Sequence, residues 1–394
     1  MAGSFSGIGL ASRALQAFQR GLDVTGHNIA NVNTRGYSRQ SISFAPNDPS
    51  TYWGINPYQV GNGVSVASVS RIRDLLLDSR MNSAQSDLSK FSSLAASLKG
   101  IEAAMPEPSP NGIAEALNKF FDAWSGLASN PGESGLKLQV QLAGQTLTQR
   151  VRAAYAELGR QTTAIKTGIE SGLGEVDRLT ERISTLNNEI KSKAAAGADP
   201  NDLMDQRNLA LEDLSKLIDI QTYEGADGAI TVYTNQMQLV DTAGWNPIPK
   251  TYDPATSTLT GGPVPVTLRS GGLVGMMQSL SKLTGVQGQL NLFADQLRSE
   301  VNAVHRTGTT SGGMTNVDFF NTTVNGAENF TLGADVAASP DRIATGTSGN
   351  AGDGGVALAL SNLREQSIGA LGGKTFKQFY AGAVSGIGTE YAHY

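Results

Sequence analysis

Three histidines, His27, His305 and His393, are the only imidazoles in the chain, and they lie far apart in sequence. None falls in an H-E-x-x-H pattern or near a second histidine, the spacing that would bring two nitrogens to one metal. Cysteine is absent, which removes disulfides, thiolate metal sites and thiol nucleophiles together. No G-x-S-x-G elbow occurs to lift a serine above a sheet. Gly7-Ile8-Gly9 and Gly61-Asn62-Gly63 begin like phosphate-binding loops, but each lacks a third glycine and a preceding strand, so both are expected to be turns. Asp202, Asp205, Glu212 and Asp213 crowd one short stretch, as paired carboxylates do in glycosidases or around a metal. The plainer reading is structural. Asp202 and Asp205 fall in a first helical turn and suit its dipole, and Asp205 and Arg207 are expected to be surface charges. His27 and His305 are expected to be structural or surface residues. No catalytic residue, metal site or cofactor site emerges.

The elements around these residues are mostly helical. Ile8, Ala11, Leu15, Phe18, Leu22, Thr25 and Ile29 alternate three and four apart, a coiled-coil-like seam. Such a helix alone buries nothing and is marginal in water, so it needs a partner. From Tyr37 to Val69 short alternating runs broken by proline and glycine predict an extended or hairpin segment. Helical spacing returns near Ile72 and is clearest at Leu88, Phe91, Leu94, Leu98 and Ile101, until Pro106, Pro108 and Pro110 stop it. A short helix carries Ile113, Leu117, Phe120, Phe121, Trp124 and Leu127. Next comes a proline-free helical stretch from Glu133 to about Ala196, in which Gly168, Gly172 and Gly174 are candidate bends. A turn at Asp199-Pro200-Asn201 leads into a helix bearing Leu203, Arg207, Ala210, Leu214 and Leu217, so the two helices form an antiparallel hairpin.

The period then changes to two. Ile218-Ile220-Thr222 and Ile230-Val232 flank the turn Gly225-Ala226-Asp227-Gly228, and Leu239-Val240 and Val264-Val266-Leu268 add strands. Leu273, Met276, Leu280, Leu283, Gln287, Leu290, Ala294, Leu297, Val301 and Val304 form the cleanest helical seam. An irregular, strand-like section follows from Gly308 to about Thr347. Helical pieces lie near 354–366 and from Phe376 onward. The fold class expected is α+β, mainly α: a long antiparallel helical bundle with a small inserted β domain and an N-terminal coiled-coil-like helix. The domain divisions expected are 1–36; a connector at 37–71; bundle segments at 72–217, 272–307 and 351–394; and β segments at 218–271 and 308–350.

Composition narrows the function. With 39% hydrophobic and 16% charged residues the chain can bury real cores, while 6% aromatics and 46 glycines favour close helix contacts over large anchors. A net charge of −5 lacks the clustered Lys and Arg of a nucleic-acid surface. No apolar run approaches the roughly 20 residues that span a bilayer. Met1-Ala2-Gly3-Ser4-Phe5 does not open a secretory signal peptide.

His27-Asn28-Ile29-Ala30-Asn31-Val32-Asn33-Thr34-Arg35-Gly36-Tyr37-Ser38-Arg39-Gln40 resembles the N-terminal signature of flagellar rod, hook and hook-associated proteins. It is most similar to the hook-associated protein 1 family, in which Ser/Thr-Arg-Gln follows the Tyr. Asp202-Leu203-Met204-Asp205-Gln206-Arg207 resembles that family's D-x-x-D-x-R helix. Gly271-Gly272-Leu273, Asn302-Ala303-Val304-His305, Asp318-Phe319-Phe320 and Thr375-Phe376-Lys377-Gln378-Phe379-Tyr380 follow in the family's order, so the resemblance covers nearly the whole chain.

The resemblance implies a structural subunit, not an enzyme, at the junction of flagellar hook and filament. It also implies that the chain is extracellular, exported unfolded through the flagellar type III channel with its N-terminus uncleaved. Implied partners are copies of itself, the hook protein, the second junction protein, the export apparatus and a chaperone, with no nucleic acid and no membrane insertion. Segment 1–36 becomes the axial-core helix. The assembly interface is assigned to Ile8, Leu15, Phe18, Leu22, Ile29, Asn31, Asn33, Gly36, Tyr37 and Arg39. Relatives pair the N-terminal helix with a long C-terminal one. Here the chain ends soon after Phe376, so the first seam is expected to lack that partner, and the short span from Phe320 to Asp353 is expected to omit the large domain some relatives insert. The nearer alternative, a hook or rod protein, fits poorly with the helix at 202–217. A secreted adhesin or enzyme on this scaffold would need a catalytic cluster in the β domain, and none is visible.

Overall fold

The computed structural model of the chain describes residues 4–53, 58–348, 350 and 352–391; His393 lies outside them. In chain order the elements are α1 (Ser4–Ala30), β1 (Gln40–Pro46), β2 (Ser50–Tyr52), β3 (Tyr58–Val60), β4 (Val64–Arg71), α2 (Leu75–Ala104), α3 (Ile113–Ser129), α4 (Ser134–Ala195) and α5 (Asn201–Leu217). There follow β5 (Gln221–Glu224), β6 (Ile230–Thr234), β7 (Met237–Val240), β8 (Thr251–Asp253), β9 (Thr258–Thr260) and β10 (Val266–Thr267), then α6 (Gly272–His305), α7 (Ala334–Ala338), α8 (Gly355–Asn362) and α9 (Phe376–Tyr391). The fold is mainly helical α+β, as expected. Two compact units are formed, one from residues 1–90 and 170–274, the other from 91–169 and 275–394. The division falls inside α2, α4 and α6.

The second unit is built on helix seams. Leu94, Leu98 and Ile101 of α2, the whole apolar face of α3, and Leu283, Leu290, Ala294, Leu297 and Val301 of α6 are buried in one core. Trp124 packs 5.3 Å from Phe319 and Phe120 packs 5.5 Å from it, all tilted rather than stacked, the geometry the ring quadrupoles favour. The expected strand-like stretch after Gly308 forms only isolated bridges among the described residues, such as Phe320 with Leu332. Its apolar residues Phe319, Phe320, Phe330, Val336 and Ile343 instead seal the helical core. Asn302 holds this stretch in place: its side chain donates to Phe320 O at 2.8 Å and accepts from Phe320 N at 2.8 Å.

The first unit carries the sheets. β5–β6–β7 and β8–β9–β10 are antiparallel three-stranded sheets, and β1–β4 and β2–β3 form two nested hairpins. Val176, Leu179, Ile183, Leu186 and Ile190 of α4 are buried, with Leu211 and Leu214 of α5. Asn187 brackets the Ile230 peptide as Asn302 brackets Phe320, donating to its O at 2.7 Å and accepting from its N at 3.0 Å. α4 runs through Gly168, Gly172 and Gly174 unbroken, so these glycines interrupt no helix. Gly7-Ile8-Gly9 is likewise helical, not a turn, because it sits inside α1. Leu88 stands exposed, so the seam of α2 is buried only from Leu94 onward.

Candidate assembly site

α1 turns two faces to its surroundings. Ala17 and Val24 are buried, and the backbone at Gly21 lies close enough to β1 that a Cβ there would meet Phe44 Cζ at 3.6 Å. Three- and four-residue spacing thus docks the helix on the β1–β4 hairpin through its small residues, which sequence spacing did not single out. The larger seam faces away. Ile8, Leu15, Phe18, Leu22 and Ile29 are 62–73% exposed, an apolar stripe touched at Phe18 by the Phe44 ring of β1, 5.9 Å away, and otherwise largely open to solvent. The hairpin is therefore a partner for α1 that the sequence did not reveal, and it leaves most of the seam exposed.

Alanine and valine bury little, so apolar area alone holds α1 weakly, and the segment after it is secured by polar contacts. Asn28 accepts from Gln40 N at 2.8 Å, donates to Gln40 O at 2.9 Å, and accepts from the Tyr37 hydroxyl at 2.8 Å. Asn31 donates to His27 O at 3.1 Å and accepts from the Thr34 hydroxyl at 3.2 Å, closing the helix end. Gly36, at φ +82°, makes the turn, and a Cβ there would lie 3.2 Å from Leu209 Cβ. Tyr37 packs edge-on to His27 at 5.4 Å. Burial, and then the charges of Asp202 and Asp205, push its phenol above the ordinary range. Asn33 and Arg39 are exposed.

The anchor on the other side is the start of α5. Asp205 accepts from Ser38 N at 2.9 Å and from Arg71 at 3.0 Å, with little of either charged side chain exposed. Asp202 accepts from the Gln40 amide at 3.1 Å. Asp199 accepts from Val69 N at 2.9 Å, while Asn201 donates to Val69 O at 2.6 Å. Arg35 reaches Glu212 at 2.9 Å and Asp213 at 2.6 Å. Against the upward push of partial burial, hydrogen bonds from Arg35 and Lys216 hold both carboxyls below their ordinary values.

Arg207 is fully buried, not a surface charge. It donates to Asn187 at 3.1 Å, to Gly228 O at 2.5 Å and to Glu224 at 3.2 Å. Burial lowers it to about 10, which leaves it a cation at neutral pH. Asp205 is buried too, overturning the same expectation. The D-x-x-D-x-R pattern thus faces two ways: its aspartates hold the N-terminal segment, and its arginine ties α5 to α4 and the β5–β6 turn.

Of the residues assigned to assembly, the five apolar ones share the open stripe of α1. Asn31, Gly36 and Tyr37 form the turn beneath it. The sequence missed Arg71, Asp199 and Asn201, because isolated polar residues in loops and strand ends carry no periodic signal. Among the described residues no three His, Asp or Glu gather as a metal site, and no helix is long and apolar enough to cross a membrane.

Comparison with known proteins bears on these surfaces. The profile for the flagellar hook-associated protein FlgK helical domain matches residues 98–320, and that for the flagella basal body rod protein matches residues 8–37. Flagellar hook-associated protein 1 of Bacillus subtilis is 28% identical, the match spanning 99% of this chain and 86% of that protein. Flagellar hook-associated protein 1 of Salmonella typhimurium is 26% identical over 79% of this chain, which spans only 59% of that longer relative. The solved structure of the flagellar hook junction protein FlgK from Burkholderia pseudomallei shares the fold over 62% of this chain and 46% of its own, with a TM-score of 0.54 and 22% identity.

Proposed function

The chain belongs to the flagellar hook-associated protein FlgK family, and on that premise we propose that it is a structural subunit joining the flagellar hook to the filament. The carrying observation is the open stripe on α1, apolar over five large side chains and supported from behind by a hairpin and a polar anchor. Burying one such side chain contributes roughly 1.5–3 kcal/mol, so a helix laid along the stripe gains several such contributions. The work of the chain is then assembly and not turnover. Its partners are copies of itself, the hook protein and the second junction protein. An export apparatus and a chaperone deliver the chain to the outside of the cell with its N-terminus uncleaved. In this arrangement residues 1–36 line the axial core, and the bundle segments at 72–217, 272–307 and 351–394 meet neighbouring subunits. The β segment at 218–271 lies outside that core.

The test introduces Leu15→Glu with Leu22→Glu at the chromosomal locus. Both positions are exposed, so the purified variant should melt like the parent while cells lose filaments beyond the hook. Normal filaments and swimming would refute the role of the stripe.

A further inference from the structure

A second pair of surfaces, unrelated to the α1 stripe, lies in the first unit. The inner hairpin β2–β3 pairs Ser50 with Val60 and Tyr52 with Tyr58, forming an arm that carries Trp53 directly after β2. Trp53 is 86% exposed, whereas Trp124 is buried and Trp245 half-buried. Tryptophan loses much by standing in water and is the side chain most enriched at the energetic centres of interfaces. The described residues of this arm, 50–53 and 58–60, include none that is charged, in a chain that is 16% charged.

The sheets of the same unit form a cavity of about 680 Å³ between β7 and the loops before β8 and β10. This volume is within the range of ordinary ligand sites, about 300–1,000 Å³. Pro247, Pro249, Pro263 and Pro265 line it, and no charged residue does. Prolines present rigid apolar faces without N–H groups, the kind of surface on which aromatic rings dock. Gln236 and Gln238 also line it, and an amide side chain can accept from an indole N–H. Val264 on the rim is 61% exposed.

We infer that the Trp53 arm of one copy docks in the proline-lined cavity of a second copy. Arm and cavity match in lacking charge, which spares both sides the cost of burying an unpaired ion. Because the two surfaces are different patches of one chain, the contact is heterologous and propagates from copy to copy, as a ring or helical array requires. This inference rests on the reading that copies assemble, and it adds a contact away from the α1 stripe.

The test uses the intact chain, whose lack of cysteine makes single-cysteine pairing clean. Thr51→Cys and Gln236→Cys variants are mixed and oxidised. A two-chain product should form in the mixture and not from either variant alone, and adding Trp53→Ala to the first should abolish it. By sedimentation, Trp53→Ala and Val264→Arg should each weaken self-association at least about 10-fold. Combined, they should do no more than either alone. Parent-like association of either variant overturns the contact while leaving assembly itself standing. A parent that stays monomeric at about 1 mM also overturns the contact, whereas the assembly reading falls only on the filament test.

Discussion

Removing the carboxylate of Asp205 should release the N-terminal segment without unfolding the unit that holds it. Asp205→Ala takes away an acceptor from Ser38 N and the charge partner of Arg71. A buried ion pair broken on one side costs about 3–5 kcal/mol, because the remaining charge is stranded. The low end applies here, since the Asn208 side-chain oxygen, once its amide is turned, lies 3.2 Å from the same Arg71 nitrogen and can take up part of the load. A loss of about 3 kcal/mol is roughly a hundredfold in a local opening equilibrium. Native-state amide exchange should therefore quicken about that much at Ser38, Gln40 and Val69, while the buried amides of α4 and β6 keep their protection. Arg35→Ala is the control: it removes only exposed ion pairs, worth less than about 1 kcal/mol. Unchanged exchange at Ser38 in Asp205→Ala, or equal effects from both variants, would refute the anchor as the element that fixes the N-terminal segment.

Three further outcomes follow from the two units. His305 donates from Nδ1 to Val317 O at 2.7 Å and accepts at Nε2 from Ala344 N at 3.0 Å, and burial lowers its pKa to about 4. Above pH 6.5 it is neutral folded or unfolded; between pH 6.5 and 4 only the unfolded chain binds the proton, so stability should fall by about 3 kcal/mol across that window. Urea midpoints against pH should lose this slope in His305→Gln, and an identical slope would remove His305 as its source. Gly271→Ala should destabilise the first unit by more than about 2 kcal/mol, since φ is +101° and a Cβ would collide with Leu217 O and lie 2.6 Å from Ile218 N; parent-like melting would contradict this. Leu283→Asp buries an unpaired charge and should cost more than about 4 kcal/mol, against almost nothing for the exposed Gln289→Asp. Thermal melts of the two that coincide would place the wrong face of α6 in the core.

Periodicity alone determined the helices and most of what they bury. The seam of α6 from Leu283 to Val301, the face of α3 and the run from Ile169 to Ile190 are inside because 3.6-residue geometry leaves one stripe to bury. The turn at Gly225 to Gly228 and its flanking strands were legible for a similar local reason, as was the ordered set of motifs that marks the family. What sequence could not decide is which surfaces meet. α1 has an apolar seam and a small-residue face; hydrophobicity points to the first, yet the hairpin takes the second because Gly21 and Ala17 admit a close approach. The larger seam stays largely exposed. Asp205 and Arg207 look like surface charges because charge alone favours water. Only the tertiary structure supplies Ser38, Arg71, Asn187 and Glu224 as partners, far away in sequence, that make burying them possible.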